Sequence, residues 1–551
     1  MRALALDEDR LLLQCHYTDR EIAKSIPGRR WDPRRRCWVY PLQAYTAIRQ
    51  AFPIIRVPAE VQKAALQVME QEAAITATQA AGWENAEPVE PMPLRTKPYK
   101  HQIYAFNLAM QLPHFAAFCE MGTGKTLVAI AAAGRRYLKG EIKRLLIICP
   151  ASVMPVWRQE FDAHADFPHR VEVLDGPIRR RRDTLAGWED TDALQVAVLN
   201  YEGARAMTED LIRWRPDMLI CDEAHRLKSP GSKQSKQIAR AARKIRFRMV
   251  LTGTPITNNP LDVYGIYRTL EPSIFGTSFY AFRNRYALMG GYENRQVIGY
   301  QNLDELMAKI HKIAFRCRKE DCLDLPEMTD VYRYCTLEKS AQALYTQMAR
   351  ESVVELEAGE TVIAANVLSK LLRLSQIAGG FLDGQPVSTA KLNLLGDILD
   401  DLDGQKAVIF VRFTAEKLAI EQLLAKRGID YVSLDGSTPM RSRGEFVQRF
   451  QADPDCGAFV GQIAAAGTGI TLHAASVAIF YSCSFSYADL DQARSRLHRS
   501  GQRNPVTNIF LTCQDTVDEK ILAALQQKRS VADQIVDNWR QYFNGKDGGH
   551  G

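Results

Sequence analysis

Short apolar runs alternate with helix-like stretches through most of this 551-residue chain. Six runs have the length and the Val, Ile and Leu content of strands buried on both faces. They are RLLIIC at 144–149, DMLIC at 217–221, RMVLTG at 248–253, AVIFV at 407–411, VAIFYS at 477–482 and NIFLTC at 508–513. Because helices between such strands cover both faces of a parallel sheet, the pattern predicts two doubly wound α/β lobes, at 95–275 and 386–515.

The remaining segments have other patterns. Residues 276–385 lack strand-like runs and show helical spacing, and residues 84–93 are rich in Pro and Glu, which is typical of a linker. We therefore predict the following: a small α+β module at 1–57, a helix and linker at 58–94, helical insertions at 276–385, a C-terminal helical brace at 516–544 and a disordered tail at 545–551.

Composition adds a mild positive charge to this picture. The net charge is +7, and arginines cluster at 34–36 and 179–182. Such clusters suit a polyanionic partner, although a solvated loop face explains the second cluster equally well.

Cysteine spacing indicates whether the chain has a metal or disulfide framework, and hydropathy indicates its cellular compartment. The eleven cysteines have no CxxC pair, so the sequence indicates neither a zinc ribbon nor a disulfide framework. Charges come too early for a signal peptide, and no run approaches the ~18 apolar residues of a membrane helix. These features predict a cytoplasmic protein.

The segment CEMGTGKT at 119–126, called the P-loop below, has the composition of a phosphate-binding turn. Gly122 and Gly124 permit a close approach of backbone amides to a β-phosphate, and the following helix adds positive potential. We expect Lys125 to reach the β- and γ-phosphates and the Thr126 hydroxyl to hold Mg²⁺.

The second motif, CDEAH at 221–225, is acidic. Asp222 follows an apolar strand, where it would hold the same Mg²⁺ from the other side, and Glu223 would orient or deprotonate the attacking water. Together the two motifs predict hydrolysis of ATP with Mg²⁺ as its cofactor.

A third motif lies in the second lobe, QARSRLHRSGQ at 492–502. Arg496 and Arg499 are three residues apart, which would place both on one helix face, aimed across a cleft at the γ-phosphate. Guanidinium groups there stabilise the charge that develops in phosphoryl transfer. Hydrolysis would then require the two lobes to close.

These motifs, in this order, resemble the superfamily-two helicases and, within them, the Snf-type family of double-stranded-DNA translocases, whose lobes are RecA-like. The final HRSGQ and RCRKEDCLDLP at 316–326 are Snf-type signatures; Cys119 and Ser500 depart from the family pattern. The other matching motifs are YKHQ at 99–102, ICPASVMPVW at 148–157, LNYEG at 199–203, LTGTP at 251–255, IFVRFT at 409–414 and AAAGTGITLHAAS at 464–476.

The resemblance implies roles for further residues. In the nucleotide site it implies Gln102 as the reader of the adenine edge, with Thr123 and Gly469 beside the nucleotide and Gln492 in the catalytic set. For coupling of hydrolysis to movement it implies His225, Thr252, Gly253 and Thr254. For DNA contacts it implies Ser152, Arg412, Gly467 and Thr468.

The N-terminal segment 18–42 combines arginines with Trp31, Trp38 and Tyr40, and Asp-Pro at 32–33 predicts a turn between two short strands. It resembles the HARP module of annealing helicases, which implies recognition of branched DNA. The tryptophans pack a small core, stack on an unpaired base, or do both, and Arg34, Arg35 and Arg36 would grip phosphates.

We therefore expect an ATP-dependent translocase on duplex or branched DNA, engaged in fork remodelling or strand annealing, with little sequence preference. A bacterial protein near the nucleoid, or a phage protein in the host cytoplasm, fits its compact organisation. The alternatives are a strand-separating DNA or RNA helicase, a motor subunit of a larger DNA-processing or defence complex, and a catalytically dead scaffold. The intact ATPase motifs argue against the scaffold.

Overall fold

The computed structural model describes residues 2–7, 10–188, 191–257, 259–291, 296–357, 364–463, 470–499 and 501–536. It divides into two compact units, residues 1–87 and 88–551. The predicted tail at 545–551 lies outside the described residues. Within them, no helix is both long enough and apolar enough to cross a membrane.

The first unit is a four-stranded antiparallel sheet with helices against it. The sheet order is β1-β2-β4-β3. Its strands are β1 (Ala3–Asp7), β2 (Arg10–Gln14), β3 (Arg30–Asp32) and β4 (Cys37–Pro41), and its helices are Arg20–Ser25, Tyr45–Ala51 and Ala59–Ala81. Val61 of the third helix is fully buried in the same core as Leu11 and Ile48, so this helix completes the module.

The second unit begins with a seven-stranded parallel sheet, in the order β13-β5-β10-β9-β6-β8-β7. Its strands are β5 (His114–Cys119), β6 (Arg144–Cys149), β7 (His169–Val173), β8 (Leu194–Asn200), β9 (Met218–Asp222), β10 (Phe247–Leu251) and β13 (Ala314–Cys317). The helices of this lobe are Lys100–Gln111, Lys125–Leu138, Met154–His164, Ile178–Ala186, Tyr201–Ala206, Thr208–Trp214, Lys233–Ala242 and Val263–Leu270.

The second lobe is a six-stranded parallel sheet, in the order β14-β21-β20-β17-β19-β18. Its strands are β14 (Met328–Cys335), β17 (Ala407–Val411), β18 (Asp430–Leu434), β19 (Cys456–Gln462), β20 (Val477–Phe480) and β21 (Val506–Cys513). Its helices are Ala390–Asp401, Thr414–Lys426, Met440–Ala452, Tyr487–Arg494 and Val517–Val536. The predicted α/β fold with two doubly wound lobes is confirmed.

The segment 276–385 is more than the helical insertions expected from its pattern. It does contain the helices Phe279–Tyr286, Leu303–His311, Lys319–Cys322, Lys339–Glu357 and Ala364–Ala378. However, it also supplies β13 to the first sheet and β14 to the second, a hairpin of β11 (Ala287–Gly290) and β12 (Gln296–Tyr300), and the short pair β15 (Phe381–Leu382) and β16 (Gln385–Pro386). The helical interpretation was wrong there because β13 is only four residues long and β14 is a half-exposed edge strand, so neither has the apolar run of a buried strand.

Two further segments connect the parts of the second unit. Residues 88–94 run along the first lobe, where Glu90 pairs with Arg135 and Lys139, so this part of the linker is docked. The helix Val517–Val536 contacts both Ala364–Ala378 and, on the first-lobe side, Leu303–His311. This position fits the predicted brace over its described part.

Candidate active site between the two lobes

Three neighbouring strands of the first sheet end at the same edge, and each leads into a predicted motif. The P-loop follows β5, the segment LTGTP follows β10, and Asp222 ends β9, with β10 paired in parallel to both of the others. Carboxyl ends of adjacent parallel strands form the usual ligand crevice of such sheets. The topology thus brings the three motifs together although about 130 residues separate the first from the last.

The P-loop backbone has the left-handed turns that its glycines predict. Gly122 has φ +89° and Gly124 has φ +83°, the latter immediately before the helix Lys125–Leu138. The Lys125 ammonium donates to the carbonyls of Cys119 at 2.7 Å and Glu120 at 3.1 Å, so it lies under the loop. Thr126 is half-buried in the first turn of the helix.

Gln102 packs directly on this loop. Its side-chain Nε2 donates to the Thr123 carbonyl at 3.0 Å, and its Oε1 accepts the Tyr99 amide at 2.9 Å. A Cβ on Gly124 would lie 2.0 Å from Gln102 Nε2, which leaves room for glycine alone. The predicted reader of the adenine edge is therefore also a support of the phosphate loop.

Asp222 is held in place by its surroundings and is 9% exposed. Its Oδ2 accepts the Trp157 indole N–H at 3.2 Å, and its Oδ1 accepts the Glu223 amide at 2.9 Å. Burial raises the pKa of the Asp222 carboxyl well above its ordinary range, and the charge of Glu223 adds to this rise, whereas Lys125 opposes it. A buried carboxyl with too little compensating positive charge suits a divalent cation, so this site fits Mg²⁺.

Glu223 has the opposite electrostatic environment. Burial alone would raise the pKa of its carboxyl, but a hydrogen bond from His225 and the charges of Lys125 and Arg496 outweigh burial and lower it. Glu223 is thus kept as a carboxylate, the form that can orient a water molecule or accept a proton.

His225 links the acidic motif to LTGTP. Its Nδ1 lies 3.3 Å from Glu223 Oε2 and 3.3 Å from Thr252 Oγ1, and Thr252 Oγ1 accepts the Thr254 amide at 3.2 Å. Gly253 lies against the P-loop, because a Cβ there would be 3.4 Å from the backbone of Cys119, Glu120 and Met121. The predicted coupling residues therefore form one connected group.

Arg496 and Arg499 reach this crevice from the second lobe. Arg496 Nη2 contacts Met121 Sδ at 3.8 Å, and a Cβ on Gly122 would lie 3.6 Å from Arg499 Cβ. Both Nη1 atoms donate towards the Ile470 carbonyl, at 3.3 Å from Arg496 and 3.4 Å from Arg499.

The expectation that these arginines share a helix face was wrong. The helix Tyr487–Arg494, which carries the buried Gln492, ends before them, and both lie in the turns that follow. Burial chiefly lowers the pKa of Arg496 to about 10, and repulsion by Arg499 adds to the effect. A buried guanidinium group next to a half-buried one that repels it suits the bound polyphosphate of a nucleotide.

Sequence reasoning missed a direct contact between the lobes. Lys319, in the RCRKEDCLDLP segment, donates through Nζ to Ser495 Oγ at 3.0 Å and to the His498 carbonyl at 2.8 Å. Its backbone amide donates to Glu120 Oε2 at 3.0 Å. Burial lowers the pKa of Lys319 to about 8.

Two other positioning residues were also missed. Arg316 donates to the carbonyls of Phe118 and Gly253 and pairs with Glu120, and Trp157 orients Asp222. The charges of RCRKED and the position of Trp157 at the end of ICPASVMPVW were the available signals.

The predicted DNA-contacting residues are placed less completely. Ser152 lies in the 3₁₀ turn Ala151–Val153 after β6, and Arg412 follows β17 with a buried Nη1 that makes no hydrogen bond among the described residues. Gly467, Thr468 and Gly469 lie outside the described residues.

In the N-terminal unit, residues 33–36 form the predicted turn between β3 and β4, and Arg34, Arg35 and Arg36 are all exposed there. Arg35 forms an ion pair with Asp7. Trp31 is 46% exposed and packs edge-on against Trp38, with ring centroids 5.1 Å apart, so it both contributes to the sheet face and leaves a ring surface accessible.

Two protein-family models match the chain in succession: the SNF2-related domain at residues 117–379 and the helicase conserved C-terminal domain at residues 390–501. The first match ends just after the insertion helix Ala364–Ala378, and the second begins with the helix Ala390–Asp401 of the second lobe.

One similar protein is the SWI/SNF-related matrix-associated actin-dependent regulator of chromatin subfamily A-like protein 1 homolog of Caenorhabditis elegans. It is 27% identical over 536 residues, and the match covers 94% of this chain and 72% of the relative. An uncharacterized ATP-dependent helicase of Mycoplasma genitalium is 26% identical, and the match covers 75% of this chain but only 39% of the relative. A solved SWI2/SNF2 ATPase core of Sulfolobus solfataricus in complex with dsDNA is 24% identical, with a TM-score of 0.40, and the match covers 84% of this chain and 97% of that one.

The two domain matches cover both lobes in the order in which they supply the ATPase motifs. The chain therefore belongs to the Snf2-type helicase superfamily and is an ATP hydrolase of that class.

Proposed function

We propose that this protein is an ATP-driven translocase on duplex DNA, and that its N-terminal module directs it to branched DNA. The observation that carries the proposal is the composite site: Lys125, Asp222 and Glu223 come from the first lobe, whereas Arg496 and Arg499 come from the second. Because the site is complete only when the lobes meet, each hydrolysis event is tied to a lobe movement.

Within this site the chain's own groups divide the work. The P-loop amides and Lys125 bind the phosphates, and Asp222 with Thr126 would hold Mg²⁺, which neutralises phosphate charge when bound. Glu223 orients the water and accepts its proton, while the two arginines stabilise charge on the transferring phosphoryl group. The Glu223–His225–Thr252 connection offers a route from the hydrolytic group to LTGTP.

Two features support DNA as the polymer along which the protein moves. Arg412 Nη1 makes no hydrogen bond within the described part of the chain and is suited to an anionic oxygen, and the exposed arginines at 34–36 suit phosphates. Contacts of this kind position a nucleic acid without reading its sequence.

The proposed role of the module in branch recognition rests on its charge and on its resemblance to HARP. In the alignment with the Caenorhabditis elegans relative, only 6% of the chain, about 33 residues, is left unaligned. The match therefore extends into the 57-residue module. Location in the cytoplasm and an origin in bacteria or phage are part of the same proposal.

The experiment is an ATP hydrolysis assay at fixed low salt with no nucleic acid, single-stranded DNA, blunt duplex, forked duplex or RNA. We expect strong stimulation by the duplex and more by the fork. A preference for single strands or RNA would instead assign the chain to strand-separating helicases.

A variant pair tests the module separately. Arg34→Ala with Arg36→Ala removes two exposed charges and keeps the Arg35–Asp7 pair, so we expect loss of fork preference with unchanged basal ATPase activity. The matched control is Arg20→Ala with Lys24→Ala, which removes two charges of the same module that are already paired with Glu21. Equal loss in both variants would refute branch recognition by the arginine turn.

A further inference from the structure

A cluster of sulfur and nitrogen donors lies beneath the P-loop. The donor atoms of His101, Cys317 and Cys322 are all within 4.8 Å of one another, and the Cys317 and Cys322 sulfurs are 3.0 Å apart. Cys119 is not one of these three residues, but its thiol forms a hydrogen bond with Cys317, so a further sulfur lies next to the group.

Four separate segments build this cluster. Cys119 ends β5 and Cys317 ends β13, and the two are opposite each other in the parallel pairing of these strands. His101 lies in the first turn of the helix Lys100–Gln111, and Cys322 ends the helix Lys319–Cys322. The sequence has no ligand spacing of a zinc ribbon because Cys317 in β13 is almost 200 residues from Cys119 in β5.

The histidine has the orientation of a metal ligand. Its Nε2 lies 2.8 Å from the Thr123 carbonyl, which can only accept, so Nε2 carries the proton and Nδ1 carries the lone pair. Metal-bound histidines commonly donate their second ring N–H to a carbonyl in this way, which sets the tautomer and the ring orientation.

We propose that His101, Cys317 and Cys322, with Cys119 as the fourth donor, bind one zinc-class divalent cation. Three sulfurs and one imidazole nitrogen are a common structural zinc set, with bonds of roughly 2.0–2.3 Å. Each coordinated thiol releases its proton to solvent when the ion binds. The ion would fix the base of the P-loop, through Cys119 and the His101–Thr123 hydrogen bond, to the segment that carries Lys319.

A disulfide between Cys317 and Cys322 is the competing chemistry. It would need a two-electron oxidant, and it would use neither His101 nor Cys119. The convergence of the His101 imidazole on the thiols of Cys317 and Cys322 favours the metal.

The first measurement is the zinc content of the purified full-length chain, by mass spectrometry of the metal, after dialysis in a chelator-free buffer with a phosphine reductant. We expect about one zinc per chain. Cobalt exchanged for zinc should show thiolate-to-cobalt charge-transfer bands. A chain without metal, or one whose intact mass before reduction shows a Cys317–Cys322 disulfide, would overturn the proposal.

Two variants give a matched comparison. Cys322→Ser should lose the ion and no longer respond to a chelator in thermal unfolding, whereas the wild type should shift to a lower temperature on chelation. The control is Cys335→Ser, since Cys335 is in thiol contact with Cys513 and no described histidine belongs to that pair. The control should keep the ion and the shift; retention of metal by Cys322→Ser would refute the assignment.

Discussion

Replacing Gly124 with alanine tests the connection between the P-loop and Gln102. Gly124 has φ +83°, and a Cβ there would lie 2.0 Å from Gln102 Nε2 and 3.2 Å from its Cδ. Gln102 would have to leave its position between Thr123 and Tyr99. We expect the substitution to weaken ATP binding strongly, because the loop can no longer take the conformation that aims its amides at the phosphates.

The magnitude follows from two contributions. A left-handed alanine costs about 1–2 kcal/mol, and the two hydrogen bonds of Gln102 contribute about 0.5–1.5 kcal/mol each. The sum, about 2–5 kcal/mol, corresponds to a loss of affinity between about 30-fold and a few thousand-fold.

Isothermal titration calorimetry with ATP and Mg²⁺ would measure this loss. The matched control is Gly140→Ala, since Gly140 has φ +70° and no atom within 4 Å of the added Cβ. That variant should lose about 1–2 kcal/mol of stability to unfolding and keep its ATP affinity.

A double variant separates the clash from the strain. In the double variant Gln102→Ala with Gly124→Ala, the added Cβ no longer meets the Gln102 side chain. Compared with Gln102→Ala alone, the double variant should therefore lose only the cost of the left-handed alanine, about 5- to 30-fold in ATP affinity. If Gly124→Ala bound ATP as tightly as Gly140→Ala, the close packing of Gln102 on the loop would not govern binding, and the reasoning would fail.

Three other substitutions address the remaining groups of the site. Lys125→Ala should lower ATP turnover by more than about a hundredfold while DNA binding in a gel-shift assay is retained, and unchanged turnover would contradict the P-loop assignment. Glu223→Gln should bind ATP but hydrolyse it about 10²–10⁴-fold more slowly in a single-turnover assay, because the amide cannot accept the proton of water; full activity would show that another group handles the water. Trp157→Phe removes the indole donor to Asp222 and should lower turnover about tenfold. Its control is Trp214→Phe, because the indole N–H of Trp214 donates to no described residue. Equal effects of the two substitutions would attribute the loss of turnover to packing alone.

The amino-acid sequence by itself determined the buried parallel strands and the chemistry that follows them. RLLIIC and AVIFV coincide with β6 and β17 because a strand buried on both faces needs a continuous apolar run. The P-loop and CDEAH were predictable for a similar reason. Glycines, lysine and adjacent carboxylates are required at fixed short spacings, so the signal is local in the chain.

Tertiary structure alone decided where distant segments meet. The strands β13 and β14 join different sheets although they are only ten residues apart, and their patterns are too short or too exposed to show this. Arg496 and Arg499 reach the P-loop from turns, where helical spacing does not apply. Lys319 meets Ser495 only because the lobes lie together.

The donor cluster under the P-loop is the clearest case. Nothing in the spacing of His101, Cys119, Cys317 and Cys322 indicates a common site. Parallel pairing of β13 with β5 places Cys317 opposite Cys119, and the adjoining helices supply the other two donors. Periodicity reports what each segment buries, whereas strand order, which depends on the packing of the whole sheet, determines which side chains become neighbours.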